Sequence, residues 1–88
     1  MDTSIKQSLK AKAHHLKPVV LLGSKGLTPG VIEETNHALT AHELIKVKIN
    51  GAEREERHAM SKELCEAVHA DLIQLIGNIA VLYRLNKE

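Results

Sequence analysis

The 88 residues, 43% of them hydrophobic and 26% charged, suffice for one hydrophobic core and are too few for two, and this balance excludes a disordered chain. A single cysteine, Cys65, excludes an internal disulfide, and the first thirty residues lack the long apolar run of a signal peptide or membrane span; one domain over residues 1–88 and a cytoplasmic location are expected. A formal net charge of +1 excludes a protein that coats nucleic acid by bulk attraction, but residues 1–30 carry five lysines against one acid and the remainder seven basic against ten acidic residues, the pattern of a localised anion-binding surface.

From Ser4 to Leu16, the apolar residues Ile5, Leu9, Ala13 and Leu16 step by four, four and three, the spacing of one helix face. Lys6, Lys10, His14 and Lys17 step identically and form a basic stripe beside it. Pro18 ends this helix, because the residue before a proline is biased away from helical geometry. The continuous apolar run Val19–Leu22, half β-branched and bounded by Pro18 and Gly23, predicts a buried strand.

Thr28 followed by Pro29 predicts an N-cap with proline in the first helical position. Leu27, Val31, Ile32, Thr35, Ala38 and Leu39 give this second helix an apolar face until about Ala41. From Glu43 to Ile49 the chain alternates, with Ile45, Val47 and Ile49 on one side and Leu44, Lys46 and Lys48 on the other, so one face of this strand should be wet. Asn50-Gly51 ends it. Arg54–Ala70 predicts a third helix with Met60, Leu64, Ala67 and Val68 inward, and Leu72–Ile76 and Ile79–Leu85 a hairpin around Gly77-Asn78.

The order αβαβαββ implies an α/β fold with a four-stranded mixed sheet. Right-handed crossovers put the second and third helices on one face. We therefore expect a two-layer sandwich whose other sheet face is partly open and carries Lys46, Lys48 and, from the hairpin, Arg84. Strict alternation places Tyr83, the one aromatic residue, on the face opposite Arg84 in a core or edge role. With so few aromatics, RNA or DNA contact would rely on phosphates, sugars and shape rather than stacked bases.

Three of the five glycines fall in "LLGSKGLTPG". Gly23-Ser24-Lys25-Gly26 between a strand and a helix reads either as a plain glycine turn or as a loop whose bare backbone approaches a sugar-phosphate chain. The lysine precedes the glycine, so the loop is not a nucleotide-binding P-loop, and Gly23, Gly26 and Gly30 lack the dinucleotide spacing. Its nearest physical analogue is the Gly-x-x-Gly loop of KH domains.

The αβαβαββ order, this loop with its internal lysine, and the flanking Leu22 and Leu27 together make the whole chain resemble the CRM domain family (chloroplast RNA splicing and ribosome maturation), in its short stand-alone bacterial form of YhbY type. That resemblance implies a fold similar to the C-terminal domain of bacterial initiation factor three. It also implies RNA binding through the loop and a basic sheet face, and association with precursors of the large ribosomal subunit. Carried over by position, Gly23, Ser24, Lys25 and Gly26 form the loop, Lys46, Lys48 and Arg84 are candidates for the face, and Lys17 joins them from the basic stripe.

Cys65 and His69 lie four apart on the third helix, but His58 would sit roughly 10 Å along the axis from Cys65 and no further ligand follows, so a packed cysteine is expected rather than a metal or thiolate site. Glu33, Glu34 and the run Glu53–Arg57 read as solvated helix surface. The expected protein is therefore a non-catalytic RNA binder, with ribosomal RNA as partner and no cofactor, metal, small-molecule substrate or membrane. The alternative is an interaction module that docks its basic first helix and open sheet edge on a ribosomal or assembly protein.

Overall fold

The computed structural model describes residues 2–23 and 25–86. Its elements follow the predicted order: α1 (Thr3–Ala13), β1 (Val20–Leu22), α2 (Pro29–His42), β2 (Leu44–Ile49), α3 (Arg54–Val68), β3 (Asp71–Ile76) and β4 (Ile79–Tyr83). The boundaries differ where tertiary contacts take over from local preference. Helix α1 starts on the Asp2 carboxylate, which accepts the Ser4 N–H at 3.0 Å. It stops at Ala13 rather than Leu16, closing with a Leu16 N–H to Ala13 carbonyl bond of 2.9 Å before Pro18 imposes extended backbone.

Thr28 caps α2 as predicted, its Oγ1 accepting the Val31 N–H at 3.2 Å, and Pro29 occupies the first turn. At the other end Glu43 takes a left-handed φ of 62°, which reverses the chain into β2. Residues 84–86 then end the strand and close that helix end. The Arg84 N–H donates to the Glu43 carbonyl at 2.9 Å, and the Asn86 amide donates to the carbonyls of Leu39 and Thr40 at 3.2 and 2.8 Å. The Arg84 bond is the last rung of the β2–β4 register; beyond it Glu43 turns away at positive φ and the Asn86 side chain satisfies the helix terminus, so β4 ends at Tyr83 and not Leu85.

The sheet order is β1-β2-β4-β3, with β1 parallel to β2 and β4 antiparallel to both its neighbours. Strand β3 therefore runs parallel to β2 with β4 inserted between them, and α3 makes the long crossover. The main core lies on one face, where Leu22, Ile45, Val47, Ile49 and Leu82 pack against Leu39 of α2 and Leu64, Cys65 and Val68 of α3. Two hydroxyls inside it are satisfied by backbone carbonyls one turn earlier: Thr35 by Val31 and Ser61 by Arg57, each at 2.7 Å.

The predicted α/β class and mixed four-stranded sheet are present, with one addition to the layering. Leu9 and Ala13 bring α1 onto the reverse face, over Ile73 and Val81, with Leu44 and Tyr83 at the margin. Helix α1 thus forms a partial third layer, because its apolar stripe needs a partner and the reverse face supplies one. A register shift between Leu72 and Gln74 sets Ile73 beneath this helix while Gln74 pairs with Val81. Strand β1 is also corrected: it is an edge strand, buried at Val20 and Leu22 but with Leu21 54% exposed.

Candidate nucleic-acid interface

Strand β1 ends at Leu22, a fully buried anchor whose carbonyl accepts the Asn50 N–H at 2.9 Å. The chain then turns at once. The Gly26 N–H donates back to the Gly23 carbonyl at 3.0 Å, and Gly26 sits at φ +71°, a conformation that disfavours any residue with a Cβ. Leu27 then packs on the main core and Thr28 caps α2. The loop is held at both feet by aliphatic side chains, while a Cβ added at Gly23 or Gly26 would meet nothing within 4 Å. Lys25 is exposed at the tip, and Ser24 lies outside the described residues.

Because β1 and β2 run parallel, the loop shares its end of the sheet with the C-terminal end of β2. Lys48 pairs with Leu21 on one side and Ile79 on the other, on the face away from the main core, and is exposed. Lys46 lies on the same face about 7 Å further from the loop, at two strand residues. It is half-buried, and its ammonium donates to the Leu16 carbonyl at 3.0 Å, tying the end of α1 to the sheet. Lys17 is exposed but lies before β1, at the end of that strand remote from the loop.

Arg84 requires correction. Its side chain does not join the lysine face. The guanidinium donates to the Asn36 side-chain and main-chain oxygens at 2.6 and 3.1 Å, to the Val68 carbonyl at 2.8 Å and to Thr40 Oγ1 at 3.0 Å. It clamps the end of β4 to α2 and α3. Register explains the reversal: Ile45 pairs with Leu82 and Leu44 with Tyr83, so Leu82 faces the main core and Tyr83 faces α1. Tyr83 has the expected edge role, on the lysine side of the sheet.

Two residues of the basic stripe complete the lysine face. Lys10 of α1 and His14, which caps its C-terminus, share a groove with Lys46 and with Gln74 of β3. The stripe is legible in the sequence; that α1 carries it onto the open end of the reverse sheet face depends on the packing of Leu9 and Ala13. Gln74 could not have been found by alternation, because the β3 irregularity places it on the same face as Ile73.

Cys65 behaves as a packed residue. Burial, with the nearby carboxylates of Asp71 and Glu66, pushes its thiol pKa up to about 12, so it stays protonated and unreactive near neutrality. Among the described residues no three of His, Cys, Asp or Glu come together as a metal site, and no helix is long and apolar enough to cross a membrane.

The model of the CRS1/YhbY (CRM) domain family matches residues 1–84. The chain is 49% identical to an RNA-binding protein of Haemophilus influenzae over 88 residues, covering 100% of this chain and 89% of the relative. It is also 49% identical over 81 residues to a "probable RNA-binding protein" of Pseudomonas aeruginosa, covering 92% of this chain and 78% of the relative. The solution structure of a hypothetical protein of Staphylococcus aureus, described as a candidate RNA binder, superposes with a TM-score of 0.88 at 30% identity, covering 100% of this chain and 92% of that one.

Proposed function

Since the chain belongs to the CRS1/YhbY (CRM) domain family, we propose that its residues 1–88 act as one non-catalytic RNA-binding domain whose ligand is structured ribosomal RNA in precursors of the large ribosomal subunit. The observation that carries the loop-centred reading is the turn closed by the Gly26 N–H on the Gly23 carbonyl, with open space above both glycines. A sugar-phosphate chain can approach the backbone at both glycines, where no Cβ holds it off, and Lys25 then neutralises a phosphate. Lys48 and Lys46 continue the contact along β2, with Lys10 and His14 beyond them. Lys17 remains a peripheral contact for a longer RNA. Ser24 has the role of a hydroxyl donor to phosphate or sugar.

The test joins a cellular and an equilibrium measurement. In-cell crosslinking with sequencing should recover ribosomal RNA with adducts at Lys25, and the protein should sediment with large-subunit precursors. Lys25→Glu should weaken binding of that RNA about tenfold while the thermal midpoint stays within about 2 °C of wild type. Recovery of messenger RNA alone would remove the ribosomal part, and unchanged affinity in Lys25→Glu would remove the loop.

The exposed edge of β1 favours a second reading, docking on a ribosomal or assembly protein, since Val19 and Leu21 are 48% and 54% exposed beside unpaired strand backbone. Crosslinks to protein alone, with none to RNA, would select it.

A further inference from the structure

Between the C-terminal half of α1 and the hairpin end of the sheet lies a groove of about 180 Å³. Its floor is aliphatic, built from Ala13, Ile79, Val81 and Ile76, the last 62% exposed. Lys10, His14, Lys46 and Gln74 form its rim, and none of the lining residues is acidic. Ile76 left in water at the mouth of an otherwise covered aliphatic floor, with two lysines and an amide at the rim, is not what a merely solvated sheet face requires.

We infer that this groove receives one unstacked nucleobase of the bound RNA, with Gln74 hydrogen-bonding the base edge and Lys10 and Lys46 holding the adjoining phosphates. The inference rests on the RNA-binding reading above and adds to it a site of base selection. Size argues first: a groove of about 180 Å³ admits one planar heterocycle. Chemistry argues second. A free anion has no use for the aliphatic floor, and an aliphatic ligand has none for Gln74, whose amide both donates and accepts. A base attached to a phosphate chain uses both.

Position supplies a third argument. Leu21, Lys48, Ile79 and Ile76 form one cross-strand row over all four strands. The row starts two residues before Gly23 and ends in the groove, a span of about 14 Å for three strand spacings. An RNA strand leaving the glycine loop would cross Lys48 and arrive over Ile79. No aromatic platform is needed, because the aliphatic floor removes the face of the base from water while the amide reads its edge.

The test uses the intact protein in solution, with methyl and amide NMR shifts followed during titration. The probes are the four 5′-ribonucleoside monophosphates, ribose 5-phosphate as the control without a base, and an octamer of uridine. At least one monophosphate should shift the Ile76 and Ile79 methyls and the Gln74 side-chain amide, binding about fivefold more tightly than ribose 5-phosphate. Gln74→Ala and, independently, Ile79→Ala should reduce that preference to less than about twofold, with the rest of each spectrum unchanged. Equal binding of ribose 5-phosphate at these groups would leave an anion site only and overturn the inference, as would a failure of every monophosphate to reach the groove. An octamer that shifts the backbone amides around Gly23–Gly26 but not the groove would sustain RNA binding and reject the base site. An octamer that shifts neither would reject both.

Discussion

The two loop glycines are not equivalent, and the difference separates folding from binding. Gly26 needs its positive φ, so Gly26→Ala should cost about 1–2 kcal/mol in urea unfolding as well as RNA affinity. Gly23 carries no such constraint and has open space where a Cβ would go, so Gly23→Ala should leave stability within about 0.5 kcal/mol while RNA affinity falls. Arg84 reverses that pattern. Its hydrogen bonds join three elements, and Arg84→Ala should lose about 2 kcal/mol of stability with RNA affinity of the folded fraction unchanged. For Cys65 the folded thiol titrates at about 12 against 9.0 for the free group. The unfolded chain therefore releases this proton first, so the thiol adds no pH dependence below about pH 8 and stability falls as pH rises from about 9 towards 12. Measured against Cys65→Ala, the wild type should show the steeper decline across that window. Glycine in the loop, lysine at its tip and a lone cysteine on a helix face were all visible in the sequence. The destination of Arg84 was not, since a cation just past a strand end satisfies either a solvent face or a helix, and only the Asn36 and Val68 oxygens beside it settle which.

At the scale of elements, α1 has the least secure attachment and the largest consequence. Only Leu9 and Ala13 are buried on it; α2 also buries two residues, but Val31, Ile32 and Ala38 support them on the main core, and α3 buries four. Leu9→Ala should cost about 2–3 kcal/mol, and amide exchange should show protection lost in α1 before the α2–α3 core opens. Because α1 also brings Lys10 and His14 to the sheet, the same variant should weaken RNA binding without altering the loop. The helices were legible because their apolar residues repeat at three and four and their caps are local, as Thr28-Pro29 illustrates. Strand faces were less so. The alternation of β2 was read correctly, but the face of β4 follows from its pairing partners, and the irregularity in β3 puts consecutive residues on one side. Strand β1 looked buried because all its side chains are apolar, although an edge strand beyond the cover of α1 leaves every second one in water.

Across the whole molecule, a small net charge and a concentrated lysine face together predict moderate, salt-sensitive affinity. With Arg84 removed from the interface, Lys25, Lys48, Lys46 and Lys10 leave about four phosphate contacts, so the slope of log affinity against log salt on single-stranded RNA should be near −2.8. Lys25→Gln should bring it closer to about −2.1, whereas Arg84→Gln should not change it. The sequence by itself determined what depends on neighbours along the chain: the order of elements, the helix starts, the turn chemistry of the glycine loop and the family to which the chain belongs. Only the tertiary structure decided what depends on residues far apart in sequence. It placed β4 between β2 and β3, brought α1 onto the reverse face, turned Arg84 inward, and joined Lys10, Lys46 and Gln74 around one groove. Local periodicity records whether a side chain is buried but not against which partner, and it is the partner that makes a surface.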